Sequence, residues 1–136
     1  MTIEMALPED LAQIRGYDCH IPRERLLRSI QDSQVLALKN GGFVLGMLRW
    51  SLFWQTIPFL DLIFLDDTAR NQGWGSEMMA HWEHQLRAIG YDYAMTSTQA
   101  DETAWQFYEK LGYRKIGSFL PPDQEAQELI YGKALK

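Results

Sequence analysis

Hydrophobic and polar positions along the chain follow two different periods, and the switches between them predict alternating strands and helices. Runs or alternations of apolar residues predict seven strands, at residues 2–7, 34–38, 43–53, 59–65, 91–97, 113–119 and 128–135. Helical spacing and helix start signals predict four helices, at residues 8–15, from about residue 22, at 74–89 and at 104–111. Glycine is expected to end three of these helices, at Gly16, Gly90 and Gly112.

The order of these elements predicts the fold class. Residues 39–42, Lys-Asn-Gly-Gly, indicate a tight hairpin, because glycine accepts positive φ. Strands outnumber helices, and most can pair with a near neighbour in the chain. We therefore expect an α/β (α+β) fold with a mixed, mainly antiparallel, twisted sheet of about six to seven strands and helices on both faces. The chain has 136 residues, and we expect residues 1–136 to form one domain.

A short polar loop joins the apolar strand at 59–65 to the helix at 74–89, and it contains Arg70, Gly73 and Gly75. A strand, a glycine loop and a helix in this order direct backbone N–H groups and the positive end of the helix dipole at an anion such as phosphate. Glycine at 73 and 75 would let the ligand approach the backbone and would permit angles that other residues avoid. Arg70 adds a positive charge.

Other glycine loops fit these residues less well. A dinucleotide-binding GxGxxG motif would need glycine or alanine in place of Met78. A Walker loop would need lysine and then serine or threonine where Ser76 and Glu77 stand. The structural alternative is that the two glycines only make a tight turn.

Two segments point to a known family. The loop RNQGWG has the form RxxGxG, and AWQFYEKLGYRKIG follows at residues 104–117. Both resemble segments of the GNAT superfamily of N-acetyltransferases, and with the order of elements the resemblance covers nearly the whole chain. It implies a GNAT-like fold and acetyl-CoA as co-substrate. The cofactor contacts that it implies fall on the strand end, the loop and one later position: Ile63, Phe64, Leu65, Arg70, Asn71, Gln72, Gly73, Trp74, Gly75, Ser76 and Asp101.

The resemblance also implies two catalytic candidates. Tyr108 takes the position of the acid that protonates the departing thiolate, and a phenol near pKa ~10 can do so for a thiol near ~8.5 with only a small uphill step. Asp61 is the candidate base for the incoming amine. Each has a structural alternative: Tyr108 as a core aromatic residue, and Asp61 as the ion-pair partner of a basic residue such as Arg49.

Three residues depart from the family pattern. Asp67 stands where proline is common, and Trp74 fills a loop position that a smaller residue usually takes. Asp101 replaces a frequent asparagine that contacts the pantetheine arm, so we expect a weaker or differently protonated contact there. Asp101 is also expected to cap the helix at 104–111.

Several other residues have two interpretations. Trp50, Phe53 and Trp54 fit either an apolar acceptor pocket or the core, and the core is the more common use of strand aromatics. His81 and His84 are spaced to share a metal, but no third ligand is evident, so we expect a solvated helix face and no metal.

Composition and charge limit the classes of molecule that the protein is expected to bind. The net charge of −5 argues against nucleic acid and favours a cationic acceptor, although Asp66 and Asp67 before the loop oppose an anionic cofactor. No apolar run approaches the ~20 residues that span a bilayer, so no membrane partner is expected. The N-terminus lacks a secretory signal, which makes a cytoplasmic location the expectation. The single cysteine, Cys19, cannot form an internal disulfide, and no nearby pattern marks it as a nucleophile.

The predicted function is acetyl-CoA-dependent N-acetylation of a primary amine on a small molecule or peptide, by direct attack in a ternary complex. The alternative is a non-catalytic acyl-CoA binding or sensor module of the same fold. The acceptor and the preferred acyl chain remain open at this stage, and O-acetylation uses the same fold. Aromatic residues on strands are consistent with a homodimer.

Overall fold

The elements follow the predicted order in the computed structural model, which describes residues 1–136. The strands are β1 (Thr2–Met5), β2 (Val35–Asn40), β3 (Phe43–Phe53), β4 (Ile57–Leu65), β5 (Tyr93–Gln99), β6 (Arg114–Phe119) and β7 (Glu128–Ala134). The helices are α1 (Leu11–Arg15), α2 (Arg23–Gln31), α3 (Trp74–Ile89) and α4 (Ala104–Lys110). Short 3-10 turns at Pro8–Asp10 and Asp67–Ala69 precede α1 and the glycine loop.

All seven strands belong to one sheet, in the order β1-β2-β3-β4-β5-β7-β6. The pairs β1–β2, β2–β3, β5–β7 and β6–β7 are antiparallel. β4 and β5 are parallel, and their pairs are Phe59 with Met95 and Leu60 with Thr96. The predicted mixed, mainly antiparallel sheet is therefore confirmed.

The chain divides into two compact units. The first contains residues 1–51 and 61–85, and the second contains residues 52–60 and 86–136. The glycine loop and Asp61 belong to the first unit, and Tyr108 belongs to the second. Each unit is described below by itself.

In the first unit, α1 and α2 pack against β2 and β3 through one hydrophobic cluster. Its buried members are Ala6, Leu11, Ile14, Leu26, Ile30, Val35, Ala37, Val44 and Met47. Leu26 and Ile30 confirm the helical spacing that predicted α2.

The opposite face of β3 packs against α3. Side chains alternate along a strand, so Trp50 faces away from the side that Met47 occupies. The buried rings of Trp50 and Trp82 lie 6.2 Å apart between centroids. Met78 and Trp82 confirm the apolar stripe of α3, whereas Ile89 is 58% exposed at the helix end. Even this longest helix, with 16 residues, lacks the length and apolar character to cross a membrane.

In the second unit, tyrosines pack closely around β7. Tyr131 is 2% exposed, and its hydroxyl donates a hydrogen bond to Glu109 Oε2 at 3.0 Å. The ring of Tyr93 covers the backbone of Gly132, where a Cβ would come within 2.8 Å of the tyrosine Cζ. Gly132 is therefore required by the close approach of an aromatic ring.

Local predictions fail at two places. The helix expected at 8–15 is a 3-10 turn followed by the five-residue α1, and the Asp10 carboxylate accepts the Leu7 N–H at 2.8 Å. The strand expected to be buried at 59–65 is mostly half-buried, since within β4 only Pro58 and Leu60 are buried. The residues of a strand show its period, but its burial depends on what packs against it.

Candidate active site

The loop before α3 has the backbone of an anion-binding turn. Asn71 and Gly73 both have positive φ, at +59° and +87°, and open space lies where a Gly73 Cβ would point. The first helical hydrogen bond of α3 runs from Glu77 N–H to Gly73 O at 3.1 Å. The amides of the first helical turn precede this bond, so they have no helical acceptor and can bind an anion.

The two loop glycines have different backbone conformations. Gly73 adopts a left-handed conformation that glycine tolerates best, whereas Gly75 is the second residue of α3 and is helical. The expectation that both need unusual backbone angles is therefore wrong for Gly75. Asn71, Gln72, Gly73 and Ser76 are exposed, and Trp74 is half-buried.

Arg70 is held against the end of β4. Its Nε donates a hydrogen bond to Leu65 O at 3.0 Å, and its guanidinium lies 5.3 Å from the centroid of the Phe64 ring. Its Nη1 forms an ion pair with Asp67 at 2.9 Å, in which both side chains are substantially exposed. The structure thus brings Arg70 together with Phe64 and Leu65, and Asp67 offsets part of its charge.

Asp66 fixes the start of the loop. Its carboxylate accepts hydrogen bonds from the Thr68 hydroxyl at 2.6 Å, the Thr68 N–H at 3.0 Å and the Tyr17 hydroxyl at 3.2 Å. The Thr68 hydroxyl is the main reason that the pKa of Asp66 lies below its ordinary value. Asp66 N–H also donates to Leu45 O at 2.8 Å, so β3 sets the position at which β4 ends.

Asp61 lies in a cluster with Arg49, Asp18 and Ser51. Arg49 Nε donates to Asp18 Oδ2 at 2.6 Å, and Arg49 Nη1 lies 3.4 Å from Asp61 Oδ2. The Asp18 side chain is 0% exposed and that of Asp61 is 25% exposed. Burial raises the pKa of Asp61, against the opposing effects of the Ser51 hydrogen bond and the Arg49 charge.

Both interpretations of Asp61 therefore find support in the geometry. Its ion pair with Arg49 is present at 3.4 Å, and it is longer than the contact of 2.6 Å between Arg49 and Asp18. Asp18 was missed at the sequence level. It lies between two helices and 31 positions from Arg49, and an aspartate in a connecting segment is usually solvated, so no local signal marked it.

Tyr108 is 6% exposed, on α4 in the second unit. Its hydroxyl is hydrogen-bonded to the Thr96 side chain, and burial raises its pKa above the ordinary value of tyrosine. The Thr96 hydroxyl also donates a hydrogen bond to Leu60 O at 3.2 Å. The residue is thus a neutral, buried phenol at neutral pH.

The helix cap expected at Asp101 is corrected. Asp101 lies exposed in the turn after β5 and does not cap α4, because Thr103 occupies the N-cap position, without a side-chain hydrogen bond.

Trp50 belongs to the core, whereas Trp54 is 78% exposed at the β3–β4 turn. His81 and His84 are exposed on α3, and no group of three or more metal-ligating side chains occurs.

The comparisons with known proteins identify the family. Residues 5–113 match the model of the acetyltransferase (GNAT) family, so the chain belongs to that family. No curated protein sequence matches the chain.

Solved structures share this fold over nearly the full chain. An N-acetyltransferase from Staphylococcus aureus Mu50 has 20% identity and a TM-score of 0.83, with 99% of this chain and 98% of that chain covered. The ribosomal-protein-S18-alanine N-acetyltransferase from Escherichia coli has 17% identity and a TM-score of 0.82, with 98% and 93% covered. A putative acetyltransferase from Salmonella typhimurium, solved with its cofactor acetyl-CoA, has 15% identity and a TM-score of 0.81, with 100% and 94% covered.

Proposed function

We propose that the protein is an acetyl-CoA-dependent N-acetyltransferase that acetylates a primary amine of a small molecule or peptide in a ternary complex. The observation that carries the proposal is the loop at residues 70–76. It combines an open, left-handed Gly73 with the unbonded amides of the first turn of α3. Free amides of this kind suit the negative charge of a diphosphate, and family membership makes the diphosphate of acetyl-CoA the fitting ligand.

The remaining cofactor contacts are assigned by position. In this proposal Arg70, Asn71, Gln72 and Ser76 surround the diphosphate, Trp74 and Gly75 begin the helix beneath it, and the backbone of Ile63, Phe64 and Leu65 binds the pantetheine arm and the thioester oxygen. Backbone N–H groups that are fixed before reaction stabilise developing negative charge without reorganising. Asp101 is the proposed further contact on the arm.

Acetyl-CoA supplies an acyl group that is activated as a thioester. The amine nitrogen attacks the carbonyl carbon, the C–N bond forms, and the C–S bond breaks with its electron pair on sulfur. Tyr108 gives its proton to that thiolate. Its buried phenol remains protonated well above neutral pH, so the acid is present in the required form.

Asp61 is the proposed acceptor of the proton that the amine loses, directly or through water. Burial raises its pKa, which makes this carboxylate more basic than one in water. An incoming amine resembling lysine has a pKa near ~10 and arrives protonated, so a nearby base is needed.

The acceptor class is proposed from charge. The net charge of −5 and the partly exposed carboxylate of Asp61 favour an amine that carries positive charge. The Escherichia coli neighbour is described as acting on an alanine of a ribosomal protein, so a peptide N-terminus is one acceptor to test. A cytoplasmic location and a homodimer remain proposals, which fractionation and sedimentation would test.

Binding and turnover need separate tests, because the alternative function is an acyl-CoA binding module without catalysis. Calorimetry with CoA and Gly73→Ala tests binding, and Gly41→Ala is the matched control. Gly41 also has positive φ, at +63°, and also has open space at its Cβ position, so both variants strain the backbone alike. We expect only Gly73→Ala to weaken CoA binding, and equal affinities in the two variants would contradict the proposal.

Turnover is measured as thiol release from acetyl-CoA with polyamines, aminoglycosides, amino acids and peptide N-termini. Amine-dependent release, with product mass raised by one acetyl group, supports the enzyme. Tight CoA binding without release across the whole panel would favour the binding module.

A further inference from the structure

The guanidinium of Arg49 is shared between two carboxylates that differ in depth. Asp18 is completely buried and takes the short contact, at 2.6 Å from Nε. Asp61 is partly exposed and takes the long contact, at 3.4 Å from Nη1. A cation that binds one carboxylate closely has less charge to offer the other, so the two carboxylates compete for Arg49.

The position of Asp18 is itself fixed. Its Oδ2 accepts from Arg49, and its Oδ1 accepts the backbone N–H of His20 at 3.3 Å. The Arg49 side chain is only 10% exposed, so little water screens the pair. The charged neighbours of Asp61 are Arg49, on β3, and Asp18, on the segment before α2, and Ser51 on β3 adds a hydrogen bond.

We propose that Asp18 is a positioning residue that holds Arg49 away from Asp61 and thereby keeps Asp61 basic enough to accept a proton. Asp18 touches neither reacting atom in this scheme. It acts through its hold on Arg49 and through its own negative charge, which also raises the pKa of Asp61. The effect of Asp18 on catalysis rests on the proposed role of Asp61 as the base. The effect of Asp18 on the protonation of Asp61 does not depend on that role.

The test measures the titration midpoint of the Asp61 carboxyl by carbon NMR in the full-length protein, with Asp61→Asn to assign the signal. In Asp18→Asn the buried negative charge is lost and Arg49 is free to approach Asp61. We expect the midpoint to move to lower pH. The double variant Asp18→Asn/Arg49→Gln removes both charges. Since Arg49 has the larger effect on Asp61, we expect its midpoint to lie above that of the wild type.

The Asp61 midpoints of Asp18→Asn and of Asp18→Asn/Arg49→Gln should differ by roughly one pH unit or more, because an opposite charge at this range commonly changes a carboxyl pKa by about 1–3. Asp10→Asn is the matched control, since Asp10 is also a buried carboxylate with a cation partner, Lys39, at 2.8 Å. It should leave the Asp61 midpoint unchanged. A midpoint in Asp18→Asn that equals or exceeds the wild-type value overturns the proposal.

The double variant keeps the proposal testable if Asp18→Asn does not fold, because it leaves no unpaired buried charge. A midpoint at or below the wild-type value in this variant also overturns it. The acid limb of kcat/KM should shift in the same order as the NMR midpoints. If the midpoints shift and the acid limb does not, the positioning role of Asp18 stands and the assignment of Asp61 as the base fails.

Discussion

The Tyr108→Phe variant distinguishes a catalytic role of Tyr108 from a purely structural role in the core. The substitution keeps the ring, which is 6% exposed, and removes one hydroxyl that is hydrogen-bonded to Thr96. Thr96 keeps its own bond to Leu60 O, so the loss of stability should be that of one neutral hydrogen bond, about 0.5–1.5 kcal/mol. This corresponds to a decrease in Tm of about 3 °C, and the variant stays folded at 25 °C.

The expected loss of activity is much larger than the loss of stability. A general acid contributes about 10²–10⁴-fold, and we expect the lower end, since a thiolate whose conjugate acid has a pKa near ~8.5 leaves fairly well unaided. A 10²-fold decrease in kcat corresponds to about 2.7 kcal/mol of activation free energy. The assay is thiol release at saturating acetyl-CoA and acceptor. If the protonated phenol is needed, kcat is retained below the raised pKa of Tyr108 and decreases as the pH rises above it. This decrease at high pH should be absent in Tyr108→Phe.

Tyr131→Phe is the matched control. Tyr131 is also a buried tyrosine of the second unit, and its hydroxyl binds Glu109, which is exposed and remains solvated without it. It should lose stability to a similar degree and keep its kcat. If kcat in Tyr108→Phe is within about threefold of that in Tyr131→Phe, a difference of less than 1 kcal/mol, Tyr108 is a core residue and another group protonates the thiolate.

Two further predictions concern the loop and the strand beside it. Asp67→Asn releases Arg70 from an exposed ion pair worth about 0.2–1 kcal/mol, so calorimetry should show CoA binding about 1.5- to 5-fold tighter; unchanged or weaker binding would mean that Asp67 does not compete with the ligand. Gly46→Ala places a Cβ 3.0 Å from Phe64 O and 2.8 Å from Leu65 Cδ2, so thermal unfolding should show a loss of about 1–3 kcal/mol. Gly42→Ala, with open space, is its control, and equal stabilities would contradict the close approach.

Signals that act over a few residues were read correctly from the sequence. The predicted bounds of β3, residues 43–53, are those of the structure. Gly90 and Gly112 were predicted to end α3 and α4, and both have positive φ there, at +116° and +93°. These positions are determined by local backbone sterics, so the residue type alone identifies them.

Properties set by distant contacts were not predictable in the same way. The half-buried state of β4 depends on the elements that cover it, and the apolar residues of the strand do not record this. The Asp18–Arg49 pair joins a connecting segment to a strand across 31 positions. Arg49 was named as one possible partner of Asp61, but only the structure shows that it has a closer one.

An acidic protein that binds an anionic cofactor must offset the repulsion between the two negative charges. The loop contains the groups that can do this. Asp67 offsets part of the charge of Arg70, because Arg70 Nη1 is paired with Asp67, while Arg70 Nε is directed at Leu65 O. The amides at the start of α3 carry no such offset, and their field is short-ranged, acting within about the first turn. Exposed charges are screened over about 8–10 Å at ordinary salt, whereas direct hydrogen bonds from amides are not. We therefore expect CoA affinity to depend only weakly on salt in the wild type and more strongly in Asp67→Asn, where a free Arg70 contributes. A steep salt dependence in the wild type would show instead that side-chain charge dominates binding.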